Sequence, residues 1–267
     1  MNTLDPTTRL PLSRRTLLRS TSAVGLGLAL TPLAGLQPVR AQTAAEATPV
    51  GAQSDVIQTE VIQRILNITA TTEAFGVTAL GGAINSAVEG NYDKPIPGAV
   101  LAVLVAARAQ EQFHLEFFQS LGGVLLTDTF TVPPELLTDY DLFFSTLVEL
   151  ETREIAAQIA AMRTFAGLKR PDLAKVSFQY AAEEAEHRLL ANYALGTRPP
   201  NDVAFAPALY DMVANHLAFL EESGIIGGTG TEIVYPGPGA IDASTVIETV
   251  PGGPLIACAI ASGGAGQ

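Results

Sequence analysis

The chain has 267 residues, 48% hydrophobic and 16% charged, with a formal net charge of −12 and no Trp. That is enough chain for one domain with a full core, and so acidic a surface repels phosphate backbones, which argues against a nucleic-acid partner. Its one cysteine, Cys258, excludes an intramolecular disulfide, so stability has to come from packing.

The N-terminus reads PLSRRTLLRSTSAVGLGLALTPLAGLQPVRAQ. Arg14-Arg15, followed by Leu17-Leu18, precedes an apolar run over about 21–36 and a Val39-Arg40-Ala41 cleavage signature. These are the three regions of a secretory signal, and the arginine pair marks it as twin-arginine type. Pro32 and the Ser/Thr positions leave the run short of a membrane span. Residues 1–41 are therefore read as a signal peptide for the twin-arginine translocation machinery, cleaved after Ala41. Removing them takes away five Arg and one Asp, leaving ten basic and 26 acidic residues and a net charge of −16. No Cys follows the signal to carry a lipid, so the mature chain is expected in the periplasm or outside the cell, without a stable membrane anchor.

Residues 42–54, QTAAEATPVGAQS, are small and polar and read as a linker. Helical periodicity starts near Asp55, a plausible N-cap. The first helix is expected over about 56–88, with Ile62, Leu66, Thr69, Glu73, Val77 and Leu80 on one stripe. GNYDKPIPG breaks the pattern. The second helix is expected over about 99–121, with Leu104, Ala107, Glu111, His114 and Phe118 on its stripe and Gly122-Gly123 as its stop.

The connection that follows, LLTDTFTVPPELLTDYDL, is long for neighbouring antiparallel helices. A connection that long can cross the end of a bundle, and it is read as a crossover that makes helices two and three parallel. The third helix is expected over about 141–165. One of its stripes holds Phe144, Leu147, Glu151, Ile155, Gln158 and Met162, and a neighbouring one holds Glu154. The fourth is expected from Pro171, a good first-turn residue, to about Leu195, with Leu173, Ser177, Tyr180, Glu184, His187 and Ala191 on its stripe. A shorter fifth helix is expected over about 207–223. Residues 224–267, rich in Gly, Pro and Thr, read as an extended, irregular tail, wrapped on the bundle or partly disordered. The fold expected is all-α: a four-helix bundle over 55–223 with its fifth helix, then the tail.

Each of the four long helices puts acidic or imidazole groups on its apolar stripe. Helix one gives Glu73, helix two Glu111 and His114, helix three Glu151 or Glu154, with Glu149 competing, and helix four Glu184 and His187. A buried carboxylate without a partner costs several kcal/mol, and few basic residues lie on these stripes. Two divalent cations would neutralise the group. Residues three apart on a helix share a face, about 5 Å apart, so each Glu-x-x-His pair can reach one inward metal. A Glu from each of two helices plus Glu-x-x-His from each of the other two is the ligand set of di-iron and di-manganese bundles. Carboxylate and imidazole suit iron and manganese, and the lack of cysteine ligands disfavours zinc–thiolate and iron–sulfur sites. Tyr180, one turn before Glu184, and Glu154 are candidates to support the ligands from behind. His216 has no acidic residue three or four positions before it and reads as a packing or surface histidine; Glu116, Glu186 and Glu222 read as solvated.

TTEAFG (Glu73), AQEQFHLEFF (Glu111, His114), VELETREIAA (Glu151) and AAEEAEHRLL (Glu184, His187) together resemble the ferritin-like domain proteins. Within them the chain is most similar to the exported bacterial group related to desiccation-associated proteins. The resemblance spans about residues 55–195, and PALYDMVANHLAFLEESGIIGG resembles that group's fifth helix. It implies a ferritin-like bundle with two Fe or Mn ions. Glu111 and Glu184 would bridge the ions, His114 and His187 would each bind one, and Glu73 and Glu151 would complete the two sites. It also implies oxidase-, peroxide- or metal-handling chemistry with O2 or peroxide as partner, in stress protection. A manganese catalase-like enzyme and a non-catalytic, metal-locked structural protein are the alternatives. Homo-oligomerisation is compatible with the sequence but not specified by it.

Overall fold

A computed structural model describes residues 62–201, 203–244 and 246–247. The signal peptide, its cleavage point, the linker and the Asp55 cap read from the sequence lie outside the described residues. The described chain is predominantly helical: α1 (Ile62–Glu89), α2 (Gly98–Ser120), α3 (Tyr140–Gly167), α4 (Pro171–Ala194) and a short α5 (Ala214–Glu222). Two short strands, β1 (Thr129–Val132) and β2 (Thr231–Val234), and a 3-10 turn at Pro134–Leu137 complete it. Among the described residues no helix is long and apolar enough to cross a membrane.

The helix ends follow local chemistry. Asp139 caps α3, its carboxylate accepting from the Leu142 amide at 2.9 Å. Pro171 opens α4, where the missing amide hydrogen costs nothing. α2 stops at Leu121, and the chain turns away through Gly122, whose φ of 98° lies in the left-handed region that a Cβ disfavours.

α1 packs along α2, and α3 along α4. α1 buries an unusually polar face: Thr71, Thr72 and Thr78 lie in the interior and return their hydroxyls to the carbonyls of Asn67, Ile68 and Ala74. These bonds satisfy the buried hydroxyls locally. The apolar core between the helices is built from residues such as Leu66, Val77, Leu80, Leu104, Leu115, Phe144 and Tyr180. A second, smaller cluster of Ile65, Ile68, Ala161, Phe165 and Val213 packs at another face of α1 and α3.

Residues 121–139 carry order that the sequence reading did not anticipate. β1 pairs antiparallel with β2, Thr129 opposite Val234 and Val132 opposite Thr231. Its alternation buries Phe130 and Val132, and the Phe130 ring meets Phe75 of α1 at a centroid distance of 5.4 Å. At one end of the connection, Gln63 at the start of α1 donates to the Gly122 carbonyl. At its other end, Asp93 accepts from the Tyr140 amide and Tyr92 donates to the Leu136 carbonyl. The Tyr140 hydroxyl in turn donates to the Ala194 carbonyl at the end of α4.

One expectation is corrected. The fifth helix starts at Ala214 rather than near Pro207. The chain before it is bent, with Asn215 accepting from the Met212 amide and Tyr210 drawn against Arg153 and His216. The start of the C-terminal tail is ordered as β2, and Tyr235 anchors it by donating to Gln112 of α2 at 3.1 Å.

Candidate metal centre

All six residues proposed as metal ligands from the sequence converge. Glu73, Glu111, Glu151, Glu184 and His187 are buried, and His114 keeps 14% of its side chain exposed. They form two groups of four: Glu73, Glu111, His114 and Glu184 in one, and Glu111, Glu151, Glu184 and His187 in the other. Within each group one ligand atom per residue lies within 4.8 Å of the others, close enough to hold a metal ion. Glu111 and Glu184 belong to both groups.

The contacts define the arrangement. Glu184 spans the two imidazoles: Oε1 lies 3.3 Å from His114 Nδ1, and Oε2 lies 2.9 Å from His187 Nδ1. His114 Nδ1 is 3.4 Å from Glu73 Oε2. His187 Nδ1 is 3.0 Å from Glu111 Oε1 and 3.8 Å from Glu151 Oε1. Both rings thus turn Nδ1 toward the carboxylates. On the far side of His187, Nε2 is 2.9 Å from Gln110 Oε1. That acceptor places the proton of a neutral ring on Nε2 and leaves the Nδ1 lone pair for a metal.

Helix three resolves into distinct roles. Glu151 faces the cluster. Glu149 is exposed and accepts from Arg153. Glu154 is buried and accepts a hydrogen bond from the Tyr180 hydroxyl. Tyr180 also sets its ring edge-on to His114 at 4.9 Å. The supporting pair named from the sequence is therefore in contact with the centre.

The electrostatics are those of crowded, dehydrated carboxylates. Burial first, and then repulsion from neighbouring glutamates, pushes the Glu73 and Glu151 carboxyls well above the ordinary range. The same two causes raise Glu154. Glu184 behaves oppositely: burial disfavours its charge, but His187 and His114 outweigh it and hold the carboxyl low. Burial likewise disfavours charge on His187, and Glu184, Glu111 and Glu151 overcome it and raise the imidazole. Without an ion the cluster can be neutral only by retaining protons.

Among the described residues, several of its buried polar atoms find no hydrogen-bond partner: both oxygens of Glu73, Oε2 of Glu111, Oε2 of Glu151, Oε1 of Glu184 and Nδ1 of His114. Orphaned buried oxygens are costly. Their convergence at one point, with an imidazole nitrogen among them, matches the hard-oxygen and nitrogen donor set of a divalent metal.

Two contributors escaped the sequence reading. Gly76, one turn after Glu73, faces Glu111 so closely that a Cβ there would stand 2.6 Å from Oε2. Gln110, next to Glu111, orients His187. His216, read from the sequence as a packing or surface histidine, is buried, with its ring against Tyr210 and Phe219. Glu116, Glu186 and Glu222 are exposed.

Comparison with known protein families, with characterised proteins and with solved structures finds no match to this chain.

Proposed function

We propose that this chain is a ferritin-like two-metal carboxylate protein, holding two Fe or Mn ions and handling O2, peroxide or the metal itself. The observation that carries the reading is the double membership of Glu111 and Glu184 in two adjoining four-residue groups. In this reading Glu111 and Glu184 would serve both ions, His114 and Glu73 would help hold one, and His187 and Glu151 would help hold the other. Bound ions of this kind supply Lewis acidity and, for Fe or Mn, one-electron chemistry.

The chain's own residues do the rest. Gln110 fixes the tautomer of His187, and Tyr180 holds Glu154 against the cluster. The surrounding apolar core keeps bulk water from the carboxylates, which strengthens every charge interaction inside. The bundle topology is part of the proposal. The ties of Gln63 to Gly122, of Asp93 to Tyr140 and of Tyr140 to Ala194 support a crossover that runs the length of the helices and leaves α2 and α3 parallel. The twin-arginine leader fits this function, because that route exports folded proteins and lets the metals be acquired before transport.

Turnover distinguishes an enzyme from a bundle that metals merely lock. Metal-loaded protein is expected to consume Fe(II) with O2, or peroxide, faster than a Glu111→Ala variant. Equal rates would favour the structural alternative, and fast peroxide disproportionation by the Mn form alone would favour the catalase-like one.

A further inference from the structure

A cavity of about 590 Å³ lies along the seam between α2 and α4 and ends on the metal cluster. α2 lines it with Ala106, Gln110, Phe113, His114 and Phe117, and α4 with Val176, Gln179, Tyr180 and Glu183. Each set follows helical spacing, so two facing helix surfaces form most of the wall, and Val246 and Ile247 of the C-terminal tail line the rest. His114 is the most exposed of the six cluster residues and forms part of the wall. Gln110, also in the wall, touches His187. The cavity therefore meets one imidazole directly and the other through a single side chain.

Its size falls within the range of small-molecule sites, roughly 300–1,000 Å³. Its chemistry narrows the occupant. Phe113, Phe117, Phe118 and Phe178 supply aromatic walls, and among the described lining residues Glu183 is the one carboxylate and there is no Lys or Arg. An anion would meet the Glu183 carboxylate and no described Lys or Arg, and a hydrated metal ion would meet mostly apolar surface. O2 and peroxide need far less room.

We propose that this cavity binds an uncharged aromatic small molecule, its ring among the phenylalanines and its edge against His114 and Tyr180. The inference deepens the two-metal reading, because it sets an organic substrate beside the cluster's exposed imidazole. Binding itself does not require that reading to hold.

The test is fluorescence titration of the full chain with N-phenyl-1-naphthylamine, an uncharged aromatic probe, with metal content measured on the same samples. Ala106 and Ala182 line the cavity and are exposed, so an Ala106→Trp/Ala182→Trp double variant narrows the mouth without entering the core. Phe205, 91% exposed and outside the cavity, provides a Phe205→Ser control. The expected result is saturable binding of one probe per chain, weakened about tenfold or more in the double variant, a loss of at least about 1.4 kcal/mol. The control is expected to bind like the wild type. Absence of saturable binding, equal binding by the double variant, or loss of binding in the Phe205→Ser control would overturn the proposal. If metal binds and the probe does not, the cavity proposal alone fails. If the probe binds with the expected variant pattern and metal does not, the cavity stands and the two-metal reading fails.

Discussion

Gly76 of α1 and Glu111 of α2 approach so closely that no side chain larger than hydrogen fits between them: an added Cβ would stand 2.6 Å from Oε2 and 2.9 Å from Cδ of Glu111. Two effects compete on substitution. A helix-interior Gly→Ala change stabilises by about 1 kcal/mol through backbone entropy. The same methyl must push the Glu111 carboxylate out of the cluster. Gly76→Ala is therefore expected to keep or raise the helicity of the metal-free protein while weakening metal affinity about 10- to 100-fold, as displacement of supporting groups at metal sites does. Circular dichroism and metal titration on the same variant check the two halves separately.

The shared carboxylates should differ from the unshared ones in metal count. Glu111→Gln and Glu184→Gln are each expected to lower the content of both ions, because each residue belongs to both groups. Glu73→Gln and Glu151→Gln are each expected to spare one ion. Metal-to-protein ratios across the four variants distinguish these patterns.

Metal removal should reverse the pH dependence of stability. In the metal-free cluster, burial and mutual repulsion raise Glu73, Glu151 and Glu154 above their ordinary 4.5, and the surrounding carboxylates overcome burial to raise His187 above 6.5. Raised values contribute stability that is fully present below the unfolded values and is lost as pH rises through the folded ones. Above pH 6.5 the metal-free protein is thus expected to lose stability with rising pH. The metal-loaded protein should gain stability in the same window, because its ligands must shed protons to bind. Thermal denaturation with and without a chelator reads the two opposite slopes.

The cluster was legible in the sequence because its signal is local. Glu111 with His114 and Glu184 with His187 stand three apart on stripes whose other members are apolar, and that spacing fixes a common face before any tertiary structure is known. Helix three was harder. Glu149, Glu151 and Glu154 lie within one and a half turns of one another, and small errors in phase exchange their faces. The pairing of β1 with β2 joins segments far apart in the chain, and nothing in TFTV or TEIV announces its partner. Gln110 carries no charge to mark it. Gly76 matters through what its missing Cβ allows on another helix, which periodicity does not encode. The bent chain before α5 has a helical pattern in the sequence, but Tyr210 is held by Arg153 at 3.1 Å and packs on His216.

His216 gives a separate pH signature. Burial first, and the nearby Arg153 charge second, depress its imidazole to about 4 from 6.5. A depressed folded value contributes stability that is present above pH 6.5 and lost as pH falls toward 4. The loss for this one group approaches about 3 kcal/mol at the acid end. In the metal-free protein, the stability difference between wild type and His216→Phe should shrink in favour of the variant across that window. Urea denaturation at a series of pH values measures it.

The most direct test of the central claim is elemental analysis of the protein purified from the compartment in which it works. Two equivalents of Fe or Mn per chain, falling together in Glu111→Gln, is the result the account predicts. A protein that carries no transition metal, or whose metal content is unchanged in Glu111→Gln, would contradict it.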